Sequence, residues 1–519
     1  MTENPWEAGS DAPSSALAGE SAPLAFRERW VRASPWLLVL LVLVYAVAFQ
    51  GARGLYSPDE GRYTTVALNM LDSGDWRRPM LHPEVEHWAK PPLTYWSVAA
   101  SIAAFGRTEF AARLPGALAF AVTILLMVRL GRRFVPAQPW LPALTYGSFA
   151  FPPLAANLVT TDTLLTLWET LQALAFVELW WAATPALTRR WRVLMWLAAG
   201  LAFMTKGPPG LLILGACAVF AALSADWPGF RRLFGWDALL VFLVVGGSWY
   251  VDVAIHEPHV MRYFLVEEVV NRVATDKMHR NAEWYGALKI YLPTVVLGTL
   301  PWLPLLLHTW WRRRAGFVAR VRGSDEARLL ACWLLLPLAV FTLARSRLPL
   351  YLLPLFVPLA LMAARVLAPL DLRRRRTQIL LGTWCFALAL ARALPAYVDM
   401  HVPVDDRALA EALSAALPAP PDEIAFIKTD PRYGLRFYLG SEIERLELPG
   451  ESSRLQTQDM SSEMQEHEGC RVLLVNDWNV GRVERFLDAR GMPYKRVHDV
   501  QGYAVIAQRT PDCEAYAGL

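Results

Sequence analysis

The chain has 519 residues, of which 55% are hydrophobic and only 19% charged. Soluble chains carry about a quarter charged residues and disordered ones more, so the composition excludes extensive disorder and points to the bilayer. The formal net charge of +4 is too small for a nucleic-acid footprint, and five cysteines without a CxxC pair exclude a disulfide-dense scaffold and a paired-cysteine zinc site.

Residues 1–25 are rich in Ala, Ser, Glu and Pro, Arg27, Arg29 and Arg32 follow, and 1–34 read as a flexible cytoplasmic tail. An apolar run from Trp36 to Phe49 follows. Ala46-Val47-Ala48 would pass for a cleavage site, but the long polar lead favours an uncleaved first helix. Further apolar runs lie near 110–130, 139–158, 162–183, 191–205, 209–225, 235–255, 288–310, 329–345, 349–370 and 378–397. Allowing the ~20 residues that a crossing needs, these predict about eleven transmembrane helices within 35–397.

The apolar stretch 91–106 would be a twelfth crossing, and positive charge decides against it. Cytoplasmic loops collect Lys and Arg. The clusters at Arg27/Arg29/Arg32, Arg129/Arg132/Arg133, Arg189/Arg190/Arg192, Arg231/Arg232, Arg312/Arg313/Arg314 and Arg373 to Arg376 share one side only if 91–106 does not cross. It is therefore read as a juxtamembrane helix at the interface. The outer face then holds residues 51–109, the Asn157–Asp162 turn, the Lys206 turn, residues 256–287, the Arg345–Pro349 turn and everything after about Tyr397. In a Gram-negative cell this is the periplasmic face of the inner membrane.

Residues 398–519 read as a small periplasmic α/β domain, with strands at Glu423–Lys428, Glu442–Leu448, Arg471–Asn476 and Gln501–Gln508 and a helix at Val480–Arg490. Cys470 and Cys513 are either a disulfide or two free thiols. Cys217, Cys332 and Cys385 lie in apolar runs and read as small buried hydrophobes. The expected fold class is an α-helical polytopic membrane protein with a small C-terminal soluble α/β domain.

Five groups of residues invite a chemical reading. Ser57-Pro58-Asp59-Glu60 has the form of a helix start, with Ser57 as cap and Glu60 three residues on. That accounts for Glu60 but does not require Asp59, and adjacent helical residues point about 100° apart. Of 51 basic residues only six are Lys, and the first 276 residues hold just Lys90 and Lys206, each before a Pro-rich turn on the expected outer face. Lys is a compact point charge suited to phosphate; the alternative is a pair of snorkelling helix-end lysines. Asp162 opens a membrane helix and could simply cap it. His82, Glu84, Glu86 and His87 cluster before Lys90, and His279 lies in the later outer loop, so a divalent metal on Glu86, His87 and His279 suits the ligand types; solvated loop residues are the alternative. Arg345 and Arg347 at the outer end of a helix, with Tyr351 one turn on, could hold an anion or anchor the interface.

Taken together, Asp59-Glu60-Gly61-Arg62-Tyr63, Leu71-Asp72-Ser73-Gly74-Asp75-Trp76, Lys90-Pro91-Pro92-Leu93-Thr94-Tyr95-Trp96 and Phe110-Ala111-Ala112-Arg113-Leu114-Pro115 resemble the first outer loop of membrane glycosyltransferases that use polyprenyl-phosphate sugars. These are the GT-C enzymes of the aminoarabinose-transferase and protein O-mannosyltransferase type. Thr160-Thr161-Asp162, Thr205-Lys206-Gly207 and the run Ala344 to Tyr351 are similar to later segments of that family. The resemblance runs from about residue 50 to 360. It implies a GT-C-like helical core with juxtamembrane helices. It also implies Asp59 as the catalytic carboxylate and Lys90, Lys206 and Tyr351 near the donor phosphate. Arg62, Tyr63, Arg345 and Arg347 join that donor group, and Glu60, Asp162 and His279 are candidates for the substrate site.

Some aminoarabinose transferases carry Glu directly before the Lys-Pro pair, at a metal position. Here that residue is Ala89, which puts the metal and a close substrate analogy in doubt, with Glu86 or His87 as substitutes. The expected partners are a polyprenyl-phosphate-linked sugar, a lipid A, glycan or protein acceptor, and membrane lipid. No cofactor is required on this reading. A transporter or flippase of lipid-linked sugars is the rival, but it calls for charges in mid-helix, whereas these gather at helix ends.

Overall fold

A computed structural model describes residues 35–264, 280–313, 323–370, 372, 374–397, 404–449, 458–464, 469–508 and 513–516. The tail 1–34 and His279 lie outside the described residues. The chain divides into two units, 1–45 and 46–519. The first contributes the start of the apolar helix Pro35–Val47, and everything below concerns the second.

Among the described residues five helices are long and apolar enough to cross a membrane: Glu109–Phe134, Trp236–His256, Asp325–Leu343, Pro349–Leu367 and Arg375–Pro395. A sixth candidate, Gly286–Gly298 with Leu303–Arg312, is bent by 98°. The other expected spans also fold as helix, but less simply. Thr161–Trp180 and Pro185–Lys206 are full length yet carry polar residues such as Asp162, Glu169 and Arg192, and 139–158 breaks into Leu141–Ser148 and Phe151–Ala155. Prolines at 152 and 153 supply no N–H to continue a helix, so the second piece must begin anew there.

Arginine clusters gather at one set of helix ends, where acids meet them. Arg129 pairs with Glu178 at 2.6 Å, Arg133 with Glu326 at 2.7 Å, and Arg189 and Arg192 with Asp237 at 2.9 Å each. The opposite ends of the same helices carry Asp162 and Lys206. The segment read as interfacial forms the helix Leu93–Phe105, whose 13 residues rise about 20 Å, short of the ~30 Å hydrocarbon core. It packs through Val98, Ala99 and Ile102 on Ala67, Leu68, Ala111 and Ala112.

The first loop is nailed to the helical core by one carboxylate. Asp59–Ser73 is its principal helix, and no side chain caps it. This corrects the expectation for Ser57, whose Oγ donates instead to both carboxylate oxygens of Asp406, at 2.8 Å each. A hydrogen bond donated to a carboxylate is stronger than the neutral one a serine cap accepts from a helix N–H. Glu60, 1% exposed, is held from all sides. It accepts from Arg53 Nη1 at 2.6 Å, Arg113 Nε at 2.8 Å, Arg113 Nη2 at 2.9 Å, the Tyr56 amide at 2.9 Å and the Val159 amide at 3.0 Å. Burial alone would raise its pKa; the guanidiniums of Arg113 and Arg53 overcome this and bring it down to about 2.

The C-terminal region forms a six-stranded sheet of β3 (Glu423–Ile427), β4 (Glu442–Glu447), β5 (Gln458–Asp459), β6 (Arg471–Val475), β7 (Tyr494–Arg496) and β8 (Ala504–Gln508), in the order β5-β4-β3-β6-β8-β7; the two preceding strands, β1 (Met80–His82) and β2 (Val85–Glu86), pair in the first loop. The centre is parallel, and β6–β8–β7 is antiparallel. Cys470 and Cys513 are disulfide-bonded. Strands β3, β6 and β8 are buried along their whole length, as a sheet covered on both faces requires. Ala425 and Ile427 face the helix Asp477–Ala489 through Val480, Val483 and Leu487. Ile424 and Phe426 face the helix Asp406–Ala416 together with Val66, Met70, Leu81 and Tyr95 of the first loop.

The sheet thus completes one face of its core with residues more than 300 positions away. Each such buried side chain contributes about 1.5–3 kcal/mol, against about 1 kcal/mol for a net hydrogen bond, so apolar burial dominates this junction. At its rim His82 sits 3.0 Å from Glu442 and 2.8 Å from Glu444. Burial would depress the imidazole pKa, but the two carboxylates push it up to about 10.

We expect Glu60→Gln to remove the anion between two buried guanidiniums at a cost of about 3–5 kcal/mol, read as a sharp loss of folded protein in detergent. The His82 contribution follows from its raised pKa: it is complete below the ordinary histidine value of 6.5 and disappears as pH rises through about 10. Thermal midpoints measured from pH 7 to 10 should therefore fall more steeply for the wild type than for His82→Gln.

Candidate active site

Two helix ends meet at the centre of the site. Thr160, not Asp162, caps the helix Thr161–Trp180, its side chain accepting from the Asp162 amide. This corrects the capping alternative for Asp162 and leaves its carboxylate available in the first turn, where the helix dipole favours an acid. Lys206 is the last residue of the antiparallel helix Pro185–Lys206, where the dipole favours a cation. Gly207 follows at φ 71°, a conformation that ends the helix and turns the chain. Lys206 Nζ lies 2.5 Å from Asp162 Oδ1 and 4.5 Å from the centre of the Tyr351 ring.

Lys206, Tyr351 and Lys90 line a cavity of about 330 Å³. Its other walls are largely apolar, with Phe203, Leu212, Met261, Phe264 and Phe341 among them. Lys90 Nζ also donates to the Ala89 carbonyl at 2.6 Å. An apolar slot bearing two ammonium groups is chemically matched to an amphiphile with an anionic head.

Asp59 does not line this cavity. Its carboxylate is half exposed and pairs with Arg62 at 2.6 Å. Burial, and then the negative charges of Asp59 and Asp162, raise the pKa of the Tyr63 phenol, and Asp162 pairs with Lys206. Burial, and then the positive charges of Arg62 and Lys90, pull the pKa of His87 down to about 3.

The remaining expected residues are placed differently. Glu60 is wholly engaged by the network described above. Arg347 is buried and donates to the carbonyls of Asn281 and Glu283 at 2.8 Å each and of Thr342 at 3.0 Å, which anchors the neighbouring loop. Arg345 is exposed. His87 does not join Glu86. Among the described residues Glu86 is grouped instead with Glu257 and His259, their ligand atoms lying within 4.8 Å of one another, and Trp88 Nε1 donates to Glu86 at 2.6 Å. Two carboxylates and an imidazole fit a divalent ion such as zinc or manganese by donor type.

The sequence reading passed over Glu169. It is buried two turns from Asp162 on the same helix face, within the electrostatic reach of Lys206 and Asp162. The seven-residue spacing from Asp162 was the available signal. Tyr250, which also lines the cavity, and the C-terminal contacts of Ser57 were missed as well, since both depend on long-range packing.

The chain's residues 89–250 match the family model of dolichyl-phosphate-mannose-protein mannosyltransferases. An undecaprenyl phosphate-alpha-4-amino-4-deoxy-L-arabinose arabinosyl transferase of Pseudomonas paraeruginosa is 33% identical, over 72% of this chain and 67% of its own length. The enzyme numbered 2 of Pseudomonas fluorescens strain Pf-5 is 32% identical over 70% of this chain, which spans 61% of that relative's length. The crystal structure of ArnT from Cupriavidus metallidurans bound to undecaprenyl phosphate has the same fold, with a TM-score of 0.75 at 21% identity, covering 92% of this chain and 98% of that one. By identity and shared length, the chain belongs to the undecaprenyl phosphate-aminoarabinose arabinosyl transferase family of membrane glycosyltransferases.

Proposed function

We propose that the protein moves a sugar from a polyprenyl-phosphate donor to an envelope acceptor, with inversion at the anomeric carbon. The observation that carries this is the apolar slot bearing Lys90 and Lys206. The lipid tail lies against the slot's apolar wall and the phosphate between the two ammonium groups. Relatives of the chain are named for undecaprenyl phosphate and aminoarabinose. The acceptor belongs to the lipid A, glycan or protein class. A flippase of lipid-linked sugars is not favoured, because the relatives are transferases and the charges of the slot sit at helix ends.

The chemistry follows from the leaving group. A phosphate departs without prior protonation, so what it needs is nearby positive charge, supplied by Lys90 and Lys206 and worth roughly 10²–10³ in rate by analogy with single oxyanion donors. The acceptor hydroxyl or amine attacks the anomeric carbon and gives its proton to Asp59. The bond to the phosphate oxygen breaks with its electron pair going to the phosphate. General-base assistance is worth about 10²–10⁴. Arg62 pairs with Asp59 before the acceptor arrives, and Asp162 fixes Lys206. No step needs a cofactor. A divalent ion held by Glu86, Glu257 and His259 would add positive charge beside the loop that carries Lys90.

The disulfide and the arginine clusters at the opposite helix ends support a periplasmic site in an inner membrane.

Purified protein with a synthetic polyprenyl-phosphate sugar tests the reading. Asp59→Asn should insert and fold normally but lose transfer by about 10²-fold or more; near-normal turnover would remove Asp59 from the role. Lys206→Met should raise the donor KM and lower kcat together, and an unchanged donor affinity would return Lys206 to helix anchoring.

A further inference from the structure

The stretch just before Asp59 is gripped by the C-terminal domain. Tyr56 and Asp405 form an antiparallel bridge. The Ser57 amide donates to the Val404 carbonyl at 2.9 Å, and the Asp406 amide to the Leu55 carbonyl at 2.9 Å. Ser57 Oγ donates to both oxygens of the Asp406 carboxylate, which is fully buried and also accepts from Arg432 Nε at 2.5 Å. No room is left at this joint. A Cβ on Gly61 would lie 2.5 Å from the Gly434 amide nitrogen and 3.0 Å from Asp406 Oδ2, and one on Gly434 would lie 2.0 Å from the same oxygen. Two glycines are therefore needed for the domain to come this close to the loop helix.

We propose that Asp406, acting with Ser57, is a positioning residue for Asp59, so that the C-terminal domain is a working part of the active site. The inference rests on the reading of Asp59 as the catalytic base. A buried ion pair adds little net stability, because desolvation offsets its Coulombic gain; its best-attested use is to fix a register. The register fixed here is that of residues 55–57, and Asp59 stands two residues beyond. On the other side the same stretch is fixed by the Tyr56 amide on Glu60. With both sides held, the carboxylate of Asp59 has a defined origin although its own side chain is half exposed. Misplacement of a reacting group by about 1 Å can cost about 10²-fold in rate.

Thr65 supplies the control. It lies on the helix of Asp59 and spans the same joint, its Oγ1 donating to the Tyr433 carbonyl at 2.7 Å, but it lies beyond Asp59 and that hydrogen bond does not involve residues 55–57. Full-length protein in proteoliposomes would be assayed for kcat, donor KM and thermal midpoint as Ser57→Ala, Asp406→Asn, Thr65→Val and Asp59→Asn.

The proposal expects Ser57→Ala and Asp406→Asn to lower kcat about tenfold or more while donor KM stays within about twofold. Thr65→Val should keep wild-type kcat in its folded fraction. Should Asp406→Asn fail to fold, Ser57→Ala, which removes only a hydroxyl, decides alone. Wild-type kcat in Ser57→Ala overturns the proposal. So does an equal loss in Ser57→Ala and Thr65→Val that tracks folded protein. Asp59→Asn separates the two levels. If it is inactive while Ser57→Ala is normal, only the positioning role falls; if it still turns over, the base assignment falls and the positioning role with it.

Discussion

The carboxylate of Glu60 sits between the guanidiniums of Arg53 and Arg113 and accepts two backbone amides besides, and the geometry of the outer face starts from that contact. Arg113 belongs to the long helix Glu109–Phe134, Arg53 to the loop, and the Val159 amide to the turn ahead of Asp162. One anion therefore ties together a transmembrane helix, the start of the loop helix and the approach to Asp162. The neighbour Asp59 is about 100° around the helix and half exposed. Adjacent acids thus have opposite environments: one is locked as scaffold, the other is half open to solvent.

The lysines are organised by a second constraint, the meeting of unlike helix ends. An acid in the first turn of one helix and a lysine in the last turn of its antiparallel neighbour each suit their own dipole, and each is the other's counter-ion. Tyr351 covers Lys206 from a third segment. Charge is thereby concentrated at the edge of an apolar slot rather than in mid-membrane, where it would be costly.

What could be read from the sequence was what is local or rare. Lys90 and Lys206 were conspicuous because lysine is scarce, and the slot does contain both, with Tyr351. The central strands of the C-terminal sheet were legible from short apolar runs, and the helices from long ones. Partnerships across long separations were not. Ser57 read as a cap because its neighbours imitate a capping box, yet its acceptor is 349 residues away. Glu86 read as a partner for His87, but His259, 173 residues on, is the residue beside it. Arg347 looked available for an anion, and no local pattern discloses that three carbonyl oxygens surround its guanidinium. Short edge strands such as β5 and β7 carry too few residues to show a period at all.

The mixed core beneath β3 and β6 has a bearing on engineering. Because Val66, Met70, Leu81 and Tyr95 belong to the same apolar cluster as Ile424, Phe426 and Leu474, the polypeptide offers no clean cut between membrane body and tail. A chimera that borrows the tail of a relative inherits half an interior and must import residues 55–95 along with 404–516 to recover the other half. The two stretches form one inheritable block, and specificity grafts should follow that boundary instead of the point where the last hydrophobic helix ends.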